Sequence, residues 1–85
     1  MKVQAAAISL GGTQFVVVVV GSDLVDNSGE ADMAIDSLSP KFGRVPVVLM
    51  SQTDQGSPRY YGDQELVELL RGVPLDQMPW KEYSV

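Results

Sequence analysis

The chain contains no cysteine and no histidine. Without cysteine there is no disulfide, no thiolate metal site and no thiol chemistry. Without histidine the commonest general base, the commonest metal ligand and every His-dependent catalytic triad are missing. Positive charge is also scarce: six Lys and Arg stand against eleven Asp and Glu, a net charge of −5. The six are Lys2, Lys41, Arg44, Arg59, Arg71 and Lys81, scattered along the chain. A duplex-binding protein needs a basic stripe to displace counterions, so direct nucleic-acid binding is disfavoured, although charge mimicry of nucleic acid is compatible. An anionic membrane surface is disfavoured for the same reason. No apolar run approaches the ~18 residues of a spanning helix. Gln4 and Ser9 interrupt the apolar stretch after Met1-Lys2, which argues against a signal peptide and for a cytoplasmic chain.

What the sequence does hold is a run of six apolar residues at 15–20, Phe15 followed by five valines. Strict alternation would leave one face polar, and this run has no polar face. It therefore reads as a strand covered on both sides. Valine's stiff χ1 favours that conformation, and Gly12 and Gly21 bracket the run too closely for an ordinary helix. Burying one valine stabilises by roughly 1.5–3 kcal/mol, so the run has the strongest local claim on the core. Eighty-five residues allow one domain, residues 1–85, with one modest core.

Around this run the other elements fall into order. Residues 2–10 read as a first strand, joined through Gly11-Gly12 in a tight hairpin. After Gly21-Ser22-Asp23 the chain breaks, and Leu24-Val25 packs under the connection. Ser28 is expected to cap a helix with Ala31, Ala34, Ile35 and Leu38 on one apolar face, stopped by Ser39-Pro40. Residues 45–50 form the second apolar run, with Pro46 tolerable at its start. A loop at 53–58 leads to the short strand Arg59-Tyr60-Tyr61, antiparallel to 47–50. Asp63 caps a final helix whose core face is Leu66, Leu69, Leu70 and Val73, with Glu68 and Arg71 outward. From residue 74 on the chain carries apolar anchors without periodicity. The expected fold is α/β (α+β): a single small domain with a four-stranded mixed sheet in ββαββα order, two helices and an extended C-terminal tail holding at most one helical turn. The crossover between the two apolar runs makes them adjacent parallel centre strands.

In the second half, Val45-Pro46-Val47-Val48-Leu49-Met50 is followed by Arg59-Tyr60-Tyr61-Gly62 and then by Leu66, Leu69 and Leu70. On these residues the stretch 45–72 resembles the C-terminal strand–hairpin–helix half of thioredoxin-like domains. In that family the proline is cis and lies beside a CxxC motif. No cysteine is present here, so none of the redox chemistry carries over. The hairpin ahead of the first helix also departs from the family's order. The resemblance implies a structural analogy and no function.

The acidic residues Asp23, Asp26, Glu30, Asp32 and Asp36 form a run with no basic residue between Lys2 and Lys41. Counted from Asp26, the places where a calcium loop needs glycine and glutamate hold Ala31 and Ser37. The run therefore reads as a solvated, acid-capped helix start rather than a metal site. Gly21, Ser22 and Asp23 stand where open α/β sheets bind ligands, at the C-terminal end of the 15–20 strand. One glycine, no nearby lysine and an aspartate do not make a phosphate loop. Tyr60 and Tyr61 should face opposite sides of the sheet, one in the core and one outward. Arg59, Tyr60, Tyr61 and Trp80 are the residue types that dominate protein interfaces. Ser22 and Ser51 have no histidine to activate them, and a chain of this size leaves little room for a pocket of several hundred Å³.

The expected function is a small, acidic, non-enzymatic protein–protein interaction module. It would be a homodimer or bound to a larger protein, with Arg59, Tyr60, Tyr61 and Trp80 as its interface and no cofactor. The alternative is a small ligand-binding or accessory enzyme domain with its site at Gly21, Ser22 and Asp23.

Overall fold

A computed structural model of the protein describes residues 2–52 and 58–84. Strands β1 (Lys2–Leu10) and β2 (Thr13–Val19) form an antiparallel hairpin. Its turn, Gly11-Gly12, has positive φ at both residues (58° and 79°), the conformation that matches the twist of a tight hairpin. Two helices follow, α1 (Ser22–Asp26) and α2 (Ser28–Leu38), then a 3-10 turn at Ser39–Phe42. Strands β3 (Val47–Gln52) and β4 (Pro58–Tyr61) precede α3 (Gln64–Leu70). A 3-10 turn at Leu75–Gln77 leads to β5 (Trp80–Ser84). Of the loop expected over 53–58, residues 53–57 lie outside the described residues; Pro58 opens β4.

The five strands make one mixed sheet in the order β4-β3-β2-β1-β5. β2 and β3 are parallel neighbours at its centre, as the two apolar runs require. Alternation divides their side chains between two layers. Val16, Val18, Val47 and Leu49 meet Val25 of α1 and Ala31 and Leu38 of α2. Phe15, Val17, Val48 and Met50 meet Leu66 and Leu70 of α3, and Met78. Both runs are thus buried on both faces, and no helix among the described residues is long and apolar enough to cross a membrane.

Four expectations need correction. Among the described residues the sheet has five strands and the fold three α-helices; the fifth strand arises because the tail becomes β5 and pairs with β1, Ala6 opposite Trp80 and Val3 opposite Tyr83, and the third helix is α1. Its two apolar residues, Trp80 and Tyr83, lie three apart and so point to opposite faces of the strand; the same spacing suits one face of a helix, so it does not announce a strand. Tyr83 is held by an edge-to-face contact with Phe42, ring centroids 5.2 Å apart. Leu24-Val25 packs inward as expected, but as part of a helix, α1, that was not expected there. The cap of α2 is Asn27, whose Oδ1 accepts from the Glu30 N–H at 3.2 Å, not Ser28. With α1 ending at Asp26, Asn27 is the only extended joint between the helices, and an extended residue is what a cap requires. Finally, Leu69 is exposed; it leans over the hairpin turn, close to Gly11, while Leu66 and Leu70 face the core. Asp63 caps α3 as expected, accepting from the Glu65 N–H at 2.9 Å. The Val45–Pro46 bond is trans.

Ser51 is 1% exposed, and its hydroxyl has no hydrogen-bond partner among the described residues. The hydroxyl of Tyr60 is buried in the same unpartnered state. A buried polar group without a partner costs about 1–3 kcal/mol of lost hydration. Ser51→Ala and Tyr60→Phe are therefore each expected to raise unfolding free energy, by roughly 1 kcal/mol. Urea titration of the two variants checks this; a loss of stability in either would mean that its hydroxyl is bonded in solution.

Candidate functional site

β4 is a terminal strand, and the hydrogen-bond pattern shows which of its backbone groups are used. The Val16 N–H donates to Pro46 O (3.0 Å) and the Val20 N–H to Met50 O (2.8 Å). Along β3 the backbone groups alternate in direction, so 46 and 50 turn toward β2 while Leu49 and Ser51 turn toward β4. Leu49 is opposite Tyr61 and Ser51 opposite Arg59. Arg59 and Tyr61 therefore bond back into the sheet. The N–H and C=O of Tyr60 and the C=O of Pro58 face outward.

The side chains divide as sharply. Arg59 makes an ion pair with Asp26 at the end of α1. Tyr61 donates its hydroxyl to Asp32 Oδ1 at 3.0 Å, with Ser28 O a second acceptor at 3.4 Å. The bond to Asp32, followed by partial burial and the charge of the same carboxylate, raises the Tyr61 phenol above its ordinary range. Two members of the acidic run thus clamp β4 to the α1–α2 layer. The rest, Asp23, Glu30 and Asp36, are exposed.

Tyr60 points to the other layer and is left by this clamp. Burial alone raises its phenol. Its ring borders two hollows that also share Val67 and Arg71. The larger, about 750 Å³, extends past Pro58, Leu70, Val73 and Pro74 to Asp76. The smaller, about 270 Å³, extends the other way past Gly62, Gln64 and Glu68. Together they form an open groove between the β4 edge and α3, apolar in its floor and carrying the exposed Arg71–Glu68 pair (3.2 Å) on its side. The molecule therefore has more concave surface than its length suggests, with Arg71, Gly72, Val73, Pro74 and Asp76 along one side of the larger hollow.

The expected interface residues do not form one surface. Trp80 is in β5, at the opposite edge from β4. Four inter-strand spacings of ~4.8 Å separate the edges by roughly 19 Å. Trp80 is half-buried against the α3 layer. Nor is either tyrosine fully core or fully outward; both are half-buried. Of the four, Tyr60 borders both hollows of the groove and Tyr61 only the smaller one, while Arg59 and Trp80 line neither. Of the wall residues, Val73 was expected in the core face of the final helix but lies beyond the end of α3, half-buried against the hollow. Val67 was not singled out, although an apolar residue beside Leu66 widens the stripe of α3 beyond what its core face needs.

The other candidate, Gly21, Ser22 and Asp23, is solvent-exposed at the start of α1, and none of the three lines the Tyr60 groove or the apolar hollow next to them. Their neighbours Val20 and Leu24 do border that hollow, of about 390 Å³ and shared with Val3, Val18, Ala34 and Leu38. No group of His, Cys, Asp and Glu among the described residues could hold a metal ion. Millimolar Ca²⁺ or Mg²⁺ is accordingly expected to leave the melting temperature unchanged. A stabilising ligand at 100 times its dissociation constant adds ~2.7 kcal/mol, so a thermal melt with and without the ions detects any site of useful affinity.

Comparison with protein-family models, with curated proteins and with solved structures found no match to the chain.

Proposed function

We propose that the protein is a cytoplasmic, non-enzymatic protein–protein interaction module whose working surface is the Tyr60 groove. One observation carries this: the outward backbone pair of the β4 edge belongs to Tyr60, which borders both hollows of the groove. An extended segment of a partner protein can pair with the Tyr60 N–H and C=O and place an apolar side chain against Val67 and Val73. This is strand addition, in which backbone bonds give affinity and pockets for alternate side chains give selectivity. One outward pair beside a proline is a short edge, so the groove must supply most of the selectivity. The opposite edge, β5, carries exposed Lys81 and Glu82, the charged residues that discourage strand addition. The net charge of −5 and the scattered cations favour protein over nucleic acid as partner.

Selection from a displayed peptide library tests the reading. The selected peptides should be extended and should carry an apolar anchor. Their binding should shift the amide resonances of Tyr60, Val67 and Val73. Tyr60→Ala should weaken binding by at least about tenfold, the ~1.4 kcal/mol or more that marks an interface anchor. Tyr61→Ala should instead loosen the clamp to Asp32 and lower stability. Trp80→Ala should leave peptide affinity unchanged. Peptides that bind equally well to the Tyr60→Ala variant, or that shift the β5 edge, would refute the groove as the interface. Sedimentation equilibrium of the wild type shows whether the segment can come from a second copy, giving the homodimer.

A further inference from the structure

We infer that the hollow at the C-terminal end of β2 binds a small apolar monocarboxylate, such as a medium-chain fatty acid, with Lys41 as the counter-ion. This site is separate from the Tyr60 groove and stands independently of the proposed interaction function. Its floor is the sheet face at Val18 and Val20, and its walls are Leu24, Ala34 and Leu38. The space exists because Ala34, half-buried on α2 and facing the sheet, is too small to fill it. At about 390 Å³ it falls within the ~300–1,000 Å³ typical of small-molecule sites, and its lining is predominantly apolar, as such sites are.

Among the described residues, two polar side chains border it, Ser37 and Lys41, both exposed at the rim. Lys41 has no ion pair among the described residues, whereas Lys2, Arg59 and Arg71 each have a carboxylate partner. A lysine stem can lie along the apolar wall with its ammonium at the water boundary. An apolar cavity with one ammonium and one hydroxyl at its mouth is complementary to a hydrocarbon tail with one carboxylate head.

Titration of the protein with octanoate and, separately, with octanol, followed by methyl resonances, tests the site. Millimolar octanoate should shift Val18, Val20 and Leu24 saturably and bind more tightly than octanol. Lys41→Met keeps the stem and removes the charge. It should weaken octanoate roughly threefold to fivefold, as expected for a partly exposed ion pair, and leave octanol unchanged. Ala34→Leu places a good helix former whose side chain fills the space, and should abolish the shifts from both probes while the protein stays folded. Equal affinity for the two probes, an unaffected Lys41→Met variant, shifts confined to the Tyr60 groove, or no saturable shift at all would each overturn the inference.

Discussion

Phe15→Ala is expected to lower unfolding free energy by about 3–5 kcal/mol, the largest effect of any substitution considered for this protein. Phe15 is 1% exposed and lies at the N-terminal end of β2, opposite Ile8 of β1. It is among the largest fully buried side chains and packs in the layer of Leu66, Leu70 and Met78. Truncation loses the transfer free energy of the ring and leaves a cavity that collapses only partly, because β2 is an interior strand fixed on both sides. A domain of 85 residues has roughly 4–13 kcal/mol of total stability, so the loss removes a large share of it. Guanidinium titration of the variant should show a midpoint far below that of the wild type, or no folded baseline. A loss under about 1 kcal/mol would contradict the two-layer core, since such a value belongs to a side chain at the surface.

Gly62→Ala is expected to destabilise by about 1–3 kcal/mol and to weaken peptide binding in the Tyr60 groove. Gly62 follows β4 with φ +158°, and a Cβ built there meets Val48 Cα and Cγ2 at 3.2 Å and Val47 O at 3.3 Å. These neighbours are backbone or fully buried atoms of the central strand β3, so they cannot give way cheaply. The added methyl must push the end of β4 outward. Tyr60 lies two residues before Gly62 and α3 starts two residues after it, so the displacement reaches both walls of the groove. The variant separates the two readings of Gly62. If the glycine serves packing alone, stability falls and peptide affinity, measured well below the melting temperature, stays the same. If it also sets the groove, both fall together. Full stability with Gly62→Ala would show that β4 does not approach β3 this closely in solution.

The central sheet was legible in the sequence because a continuous β-branched run has one low-energy answer: a strand with cover on both faces. Residues 15–20 and 45–50 therefore announced the parallel pair, Gly11-Gly12 announced the hairpin turn, and Asp63 announced the start of α3. The absence of cysteine and histidine likewise removed whole classes of chemistry without reference to the fold. What the tail does was not legible. Trp80 and Tyr83 anchor opposite faces, and their strand exists because β1 offers an unpaired edge. A long-range partner of that kind leaves no periodic trace in the segment it recruits. The candidate site was decided at the same level. Arg59, Tyr60 and Tyr61 are equivalent in composition as interface residues, yet Asp26 and Asp32 engage the first and third, and of the three only Tyr60 borders the larger hollow. Backbone alternation is a local property and forecasts opposite faces. Which face receives a clamping carboxylate depends on where α1 and α2 come to rest, and only the packed layers determine that.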